Sequence, residues 1–143
     1  MPDDSVLTTY VGTVYPRDCD HMGHMNVASY VAKFDEATWQ LFAHIGLDGA
    51  YFRAHEGAVG GVEQHLTYKR EMFPGDSFRI TTSVVELRRR VIKVRHKMVE
   101  STSGELAAVC TTTAVHMDAA QRKASPFPDE VYERARLLLE NNS

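Results

Sequence analysis

Cysteine is scarce in this 143-residue chain: Cys19 and Cys110 are all it has, far apart and outside any C-x-x-C spacing. That excludes a disulfide framework and suits a reducing compartment. No apolar run approaches the ~20 residues needed to cross a bilayer, so no membrane span is expected. The opening "MPDDSVLTTY" lacks the basic-then-apolar order of a secretory leader, which points to the cytoplasm. There is no G-x-G-x-x-G or Walker sequence, so no cofactor is implied, and no G-x-S-x-G, so no serine elbow. Positive charge is not in excess either. Sixteen Lys and Arg against nineteen Asp and Glu leave a net charge of −3, which argues against a nucleic-acid partner.

What is present describes a globular protein. Apolar residues make up 43% and charged residues 24%, and with no repeat or linker residues 1–143 read as one domain. Residues 6–15, rich in β-branched and aromatic types and closed by Pro16, predict a strand. In "NVASYVAKFDEATWQLFAHIG", apolar residues from Val27 to Ile45 recur at three- and four-residue steps, the pattern of a helix. Asn26 supplies its N-cap and Gly46 its left-handed end. A short helical or irregular piece follows at about 48–55. Consecutive strands come next: "GAVGGVEQHLTYKRE", then "SFRITTSVVEL" after a Pro74-Gly75-Asp76 turn, then "RRRVIKVRHKMVES" and "ELAAVCTTTAVHMD" around Ser103-Gly104. "SPFPDEVYERARLLLE" closes the chain as an amphipathic helix with Pro128 at its start. This order predicts an α+β fold, an antiparallel sheet curled around one long helix. The long edge strands, and Trp39 on the helix's other face, favour pairing with a second copy, as homodimer or homotetramer.

The chemistry concentrates in "RDCDHMGHMN", residues 17–26. Asp18 is accounted for as an acid near a helix N-terminus or as a solvated residue, and His21 as a solvated one. Asp20 lies six residues before the cap, where it can face the free amides of the first helical turn. Those amides can hold a developing oxyanion, and a carboxylate beside them can attack a carbonyl or activate water. A carboxylate is a weak base, so the acceptor must be a reactive one such as a thioester. His24 is assigned to orienting the site or sharing proton transfer. His21 and His24 lack companion acids or cysteines at ligand spacing, so no metal is assigned. His44, His55, His65, His96 and His116 are scattered and read as core or surface residues. From Arg88 to Lys97 six basic residues cluster, including Arg88, Arg89 and Arg90. They are either a solvated strand face or a phosphate-binding patch, and coenzyme A would fit the second reading and the thioester chemistry together.

"DCDHMGHMNVASYVAKFDEA" (18–37) resembles the entry motif of hot-dog-fold thioesterases of the 4-hydroxybenzoyl-CoA thioesterase type, and "LTYKREMFPGD" (66–76) resembles their second-strand signature. The resemblance implies a hot-dog fold, acyl-CoA as partner and hydrolysis of a small or medium acyl thioester. It places Asp20 on the catalytic carboxylate and the polarising amides at Asn26, Val27 and Ala28. His24 and Asn26 are closer to the histidine-containing variant seen in plant acyl-carrier-protein thioesterases. The second-strand glutamate of those enzymes would match Glu71. Glu63 is an alternative second carboxylate, beside Gly60 and Gly61, where a ligand can approach the backbone. An acyl-CoA hydratase or dehydratase, or a non-catalytic acyl-CoA-binding protein, would use the same fold. Release of free thiol from an acyl-CoA panel separates the three. The acyl group is left open: a betaine-like cationic head suits a pocket lined by Glu63 and aromatics, and aromatic or medium-length chains are equally allowed.

Overall fold

The computed structural model describes residues 5–140. Five strands follow the expected order: β1 (Leu7–Thr13), β2 (Gly57–Tyr68), β3 (Ser77–Leu87), β4 (Val91–Glu100) and β5 (Leu106–Asp118). They pair antiparallel in the spatial order β1-β3-β4-β5-β2, and a two-residue β6 (Lys123–Ala124) adds to β5. The long helix α1 (Val27–His44) comes between β1 and β2 in the chain and packs against the sheet's inner face. Register slips on β1, β2, β3 and at Met98/Val99 are bulges, which bend strands and help a small sheet to curl. A short α2 (Gly49–Ala54) follows α1, capped by the Asp48 side chain. Among the described residues no helix is long and apolar enough to cross a membrane.

Strand alternation settles which residues face α1. On β4, Ile92, Val94, His96 and Met98 point inward, while Lys93, Arg95 and Lys97 take the other face. The inward residues form two apolar clusters along α1. One surrounds the helix's first half with Met25, Tyr30, Phe34, Ala37, Met72, Phe78, Ile80 and Met98. The other surrounds its second half with Leu41, Phe42, Ile45, Val84, Ile92 and Val94. Fully buried side chains such as Phe34 and Leu41 are each worth about 1.5–3 kcal/mol.

A polar belt crosses the core where these clusters meet. The Thr38 hydroxyl donates to the Phe34 carbonyl at 2.9 Å, so it accepts from His96 Nε2 at 2.7 Å. His96 Nδ1 is then left as acceptor for Thr82 Oγ1 at 2.6 Å, and Thr9 lies 2.8 Å from Thr82. One neutral imidazole satisfies every partner, and burial pushes its pKa down to about 4.

The C-terminal end departs from the sequence expectation. α3 (Asp129–Arg136) starts after Pro128 as expected, but Leu137–Glu140 do not continue it. The segment turns and runs parallel beside β3: Val84 N–H donates to the Leu138 carbonyl and Glu140 N–H to the Val84 carbonyl, both at 2.8 Å. It occupies the β3 edge just beyond Thr82, where pairing with β1 ends. The "LLL" run looks helical, but Leu138 is needed to close the second cluster with Phe127, Val131 and Ala135.

Candidate active site

The loop into α1 is built from local hydrogen bonds. A single 3-10 turn, Pro16–Asp18, follows Tyr15, whose N–H donates to Asp18 Oδ2 at 2.8 Å. Cys19 and Met25 then bridge as a miniature hairpin whose bend uses Gly23 at φ 86°, a conformation that favours glycine. Asp18 is not solvated. Its side chain is 15% exposed and lies 3.5 Å from the buried ammonium of Lys33, one and a half turns into α1. This ion pair ties the motif loop to the helix it precedes, which corrects the expectation of a loose acid. His21 is exposed, as expected.

The helix terminus offers fewer free amides than the sequence suggested. Asn26 N–H donates to the Asp18 carbonyl at 2.9 Å, and Ala28 N–H to the Asn26 side chain at 2.8 Å. Val27 alone of these three has an amide with no hydrogen-bond partner among the described residues. Val27 lines a cleft of about 290 Å³ together with His24, Met25, Tyr30, Tyr68, Lys69, Arg70 and Glu71. His24 Nε2 lies 3.7 Å from Glu71 Oε1 across it. On the wall, the Arg70 guanidinium is held by Glu100 and Glu105, each at 3.2 Å, and by Ser103 at 3.0 Å. Backbone N–H groups of Thr102 and Ser103, with Arg70, hold the Glu100 carboxyl down to about 2. The cleft wall is therefore braced by the β4–β5 turn.

The remaining candidates are distributed differently. Asp20 stands across the miniature hairpin from His24: its N–H donates to the His24 carbonyl, and its Oδ1 accepts from Met22 N–H at 2.9 Å. It flanks the cleft without lining it. Glu63 and Gly61 border a separate groove on β2 with Val62, Gln64 and Thr112, so the protomer does not bring Glu63 to the aromatic cleft. Arg88, Arg89 and Arg90 form the exposed β3–β4 turn, where Arg88 pairs with Glu86 and Arg89 with Asp129. That turn is at the opposite end of β4 from Glu100, about 30 Å from the cleft at ~3.3 Å per residue. Sequence reasoning did not assign Tyr30 and Tyr68 to the site. Tyr30 was open to discovery, since it lies three residues from Val27 on the same helix face.

A sheet curled around one long helix, with a cleft beside that helix's first turn, is the hot-dog architecture. Residues 14–135 match the Thioesterase-like superfamily, and the chain belongs to it: it is a thioester hydrolase of the acyl-CoA thioesterase class. It is 31% identical over 135 residues to the betainyl-CoA thioesterase of Pseudomonas aeruginosa, covering 94% of this chain and 85% of that one. It is also 26% identical over 124 residues to the L-carnitine dehydrogenase/betainyl-CoA thioesterase of Rhizobium meliloti, covering 87% of this chain but 25% of that longer protein. The fold is shared with a Staphylococcus aureus protein solved in complex with CoA (TM-score 0.87, 20% identity, 96% of this chain and 89% of that one). A 1,4-dihydroxy-2-naphthoyl-CoA thioesterase from Synechocystis is similar too (TM-score 0.82, 17% identity, 92% and 96% covered).

Proposed function

We propose that this protein hydrolyses a short acyl-CoA thioester to the free acid and CoA, with betainyl-CoA the first substrate to try. The observation that carries the reading is one cleft whose lining joins Val27, the residue with the unpartnered helix amide, to the His24–Glu71 pair. The thioester carbonyl oxygen accepts from Val27 N–H as negative charge develops. Asp20 either takes a proton from a water that adds to the carbonyl carbon, or adds to that carbon itself to give an anhydride that water then hydrolyses. In both routes the C–S bond breaks, the thiolate leaves and is protonated as CoA, and the carboxylate is restored. His24, steadied by Glu71, orients the reacting groups. The 4-hydroxybenzoyl-CoA-type motif supports the role of Asp20, and the names of the relatives support the acyl group. Measuring thiol release from a panel of acyl-CoA esters tests the proposal. Binding without release from any ester would sink it.

A second copy completes the site. The β2 edge is open, with residues 61–65 exposed, and a two-fold axis would pair it antiparallel with its own copy. Each protomer carries its cleft at the Tyr68 end of β2 and its Arg88–Arg90 turn at the Gly57 end. Antiparallel pairing therefore brings the partner's arginines alongside this cleft, where they would hold the phosphates of CoA. Mixing an Asp20→Asn protein with an Arg88/Arg89/Arg90→Ala protein should restore activity that neither has alone. No restoration in a verified mixed dimer would remove the arginines from that role.

A further inference from the structure

Resting on the thioesterase reading, the lining of the cleft bears on which acyl group it selects. Tyr30 follows Val27 by three residues, about 4.5 Å along α1, and helical side chains lean toward the N-terminus. Its ring therefore lies over the turn that presents the free amide. The ring is almost wholly buried, and its hydroxyl is directed to the Arg70 carbonyl. Tyr68, at the end of β2, meets it edge to face, with centroids 5.1 Å apart and an interplanar angle of 75°. Nearly half of Tyr68 is exposed, and its strand neighbour across β5 is the small Ala108. Met25 and Val27 supply further apolar wall.

The charges around these rings are unevenly free. The Arg70 guanidinium is matched by two carboxylates, Glu100 and Glu105, and turned toward the β4–β5 turn. Lys69 is exposed at the rim, and Glu71 brings a carboxylate to the same lining. With Arg70 matched from behind by Glu100 and Glu105, the Glu71 carboxylate is the negative group in the lining itself. Aromatic faces with a nearby carboxylate suit a bulky cation that has no hydrogen-bond donor of its own, and such rings recognise quaternary ammonium groups. At about 290 Å³ the cleft is at the small end of ligand sites, so it takes a compact acyl head and not a long chain. A quaternary nitrogen two bonds beyond a carbonyl held at Val27 stays in the cleft that both rings line.

We propose that Tyr30 and Tyr68, aided by the Glu71 carboxylate, form the subsite that reads a quaternary ammonium on the acyl group. These tyrosines set specificity; they take no part in breaking the thioester. The comparison that tests this uses betainyl-CoA and 3,3-dimethylbutanoyl-CoA, which have the same shape with a carbon replacing the charged nitrogen. The native protein should favour the charged ester in kcat/KM by about tenfold or more. Tyr68→Leu should collapse that ratio toward one, whereas Tyr68→Phe, which keeps the ring face, should retain most of it. A native protein with no preference, or a Tyr68→Leu variant with an unchanged ratio, overturns the proposal while leaving the thioesterase reading intact. Should no ester release thiol, that reading fails instead. Calorimetric binding of the same two esters then decides the subsite: equal affinities overturn it, and selective binding lost in Tyr68→Leu supports it.

Discussion

The first half of α1 and its second half each sit in an apolar cluster of their own, yet only one is sealed. Around Leu41, Phe42 and Ile45 the sheet is closed off by α3 and the tail, which contribute Phe127, Val131, Ala135 and Leu138. Around Tyr30 and Phe34 no helix among the described residues plays that part; Tyr68, Arg70 and the motif loop form the rim, and a cleft is left. The sealed end holds the fold together. The open end is held instead by tethers, Asp18 to Lys33 and Arg70 to the β4–β5 turn.

The largest effect belongs to the open end and to rate alone. Asp20→Asn should lower kcat by about a thousandfold, in the range of positioned acid–base groups, with thermal unfolding unchanged. A large fall in melting temperature would show that Asp20 also holds the fold together. At the sealed end, Phe127→Ala should cost about 3–5 kcal/mol of stability by opening a cavity, while the kcat of the folded fraction stays close to native. Denaturant titration beside initial rates reads both.

The belt between the halves should show itself through pH. His96 titrates near 4 when folded and near 6.5 when unfolded, so the unfolded chain binds more protons in between. The stability this neutral imidazole contributes is present above pH 6.5 and lost as pH falls toward 4, by about 3 kcal/mol in all. His96→Gln should flatten that part of the stability profile, and an unchanged profile would remove His96 as its source. Lys33→Met, leaving Asp18 unmatched, should cost about 1–3 kcal/mol, reduced from a fully buried pair because both groups retain some exposure. It should also lower kcat more than it raises KM. The smallest effect is expected at Arg89→Ala: its ion pair with Asp129 is exposed, so stability should stay within about 0.5 kcal/mol.

Much of this division was legible beforehand, for physical reasons. Period-two alternation in β3 and β4 and the three-and-four spacing of α1 are local signals, as are the Asn26 cap and the Gly23 bend. The tethers are not local. Arg70 meets Glu100 across 30 positions and Thr38 meets His96 across 58, and no spacing rule announces either. The tail misleads because three consecutive leucines continue a helical pattern, while a free β3 edge, visible only in the folded sheet, takes them instead. The supposed row of three free amides shrank to one because the cap and the loop consume the other two.

The shared edge of β3 has an architectural consequence. Val6, just before β1, and Glu140, at the end of the tail, border one hollow of about 310 Å³ with Arg95 and Lys97. Both ends of the described fold therefore emerge at a common seam, far across the sheet from β2. A module fused before or after this unit would attach at that seam and leave the β2 edge unobstructed. In such a fusion the hot-dog unit behaves as a plug-in cartridge that carries cargo on its outer flank.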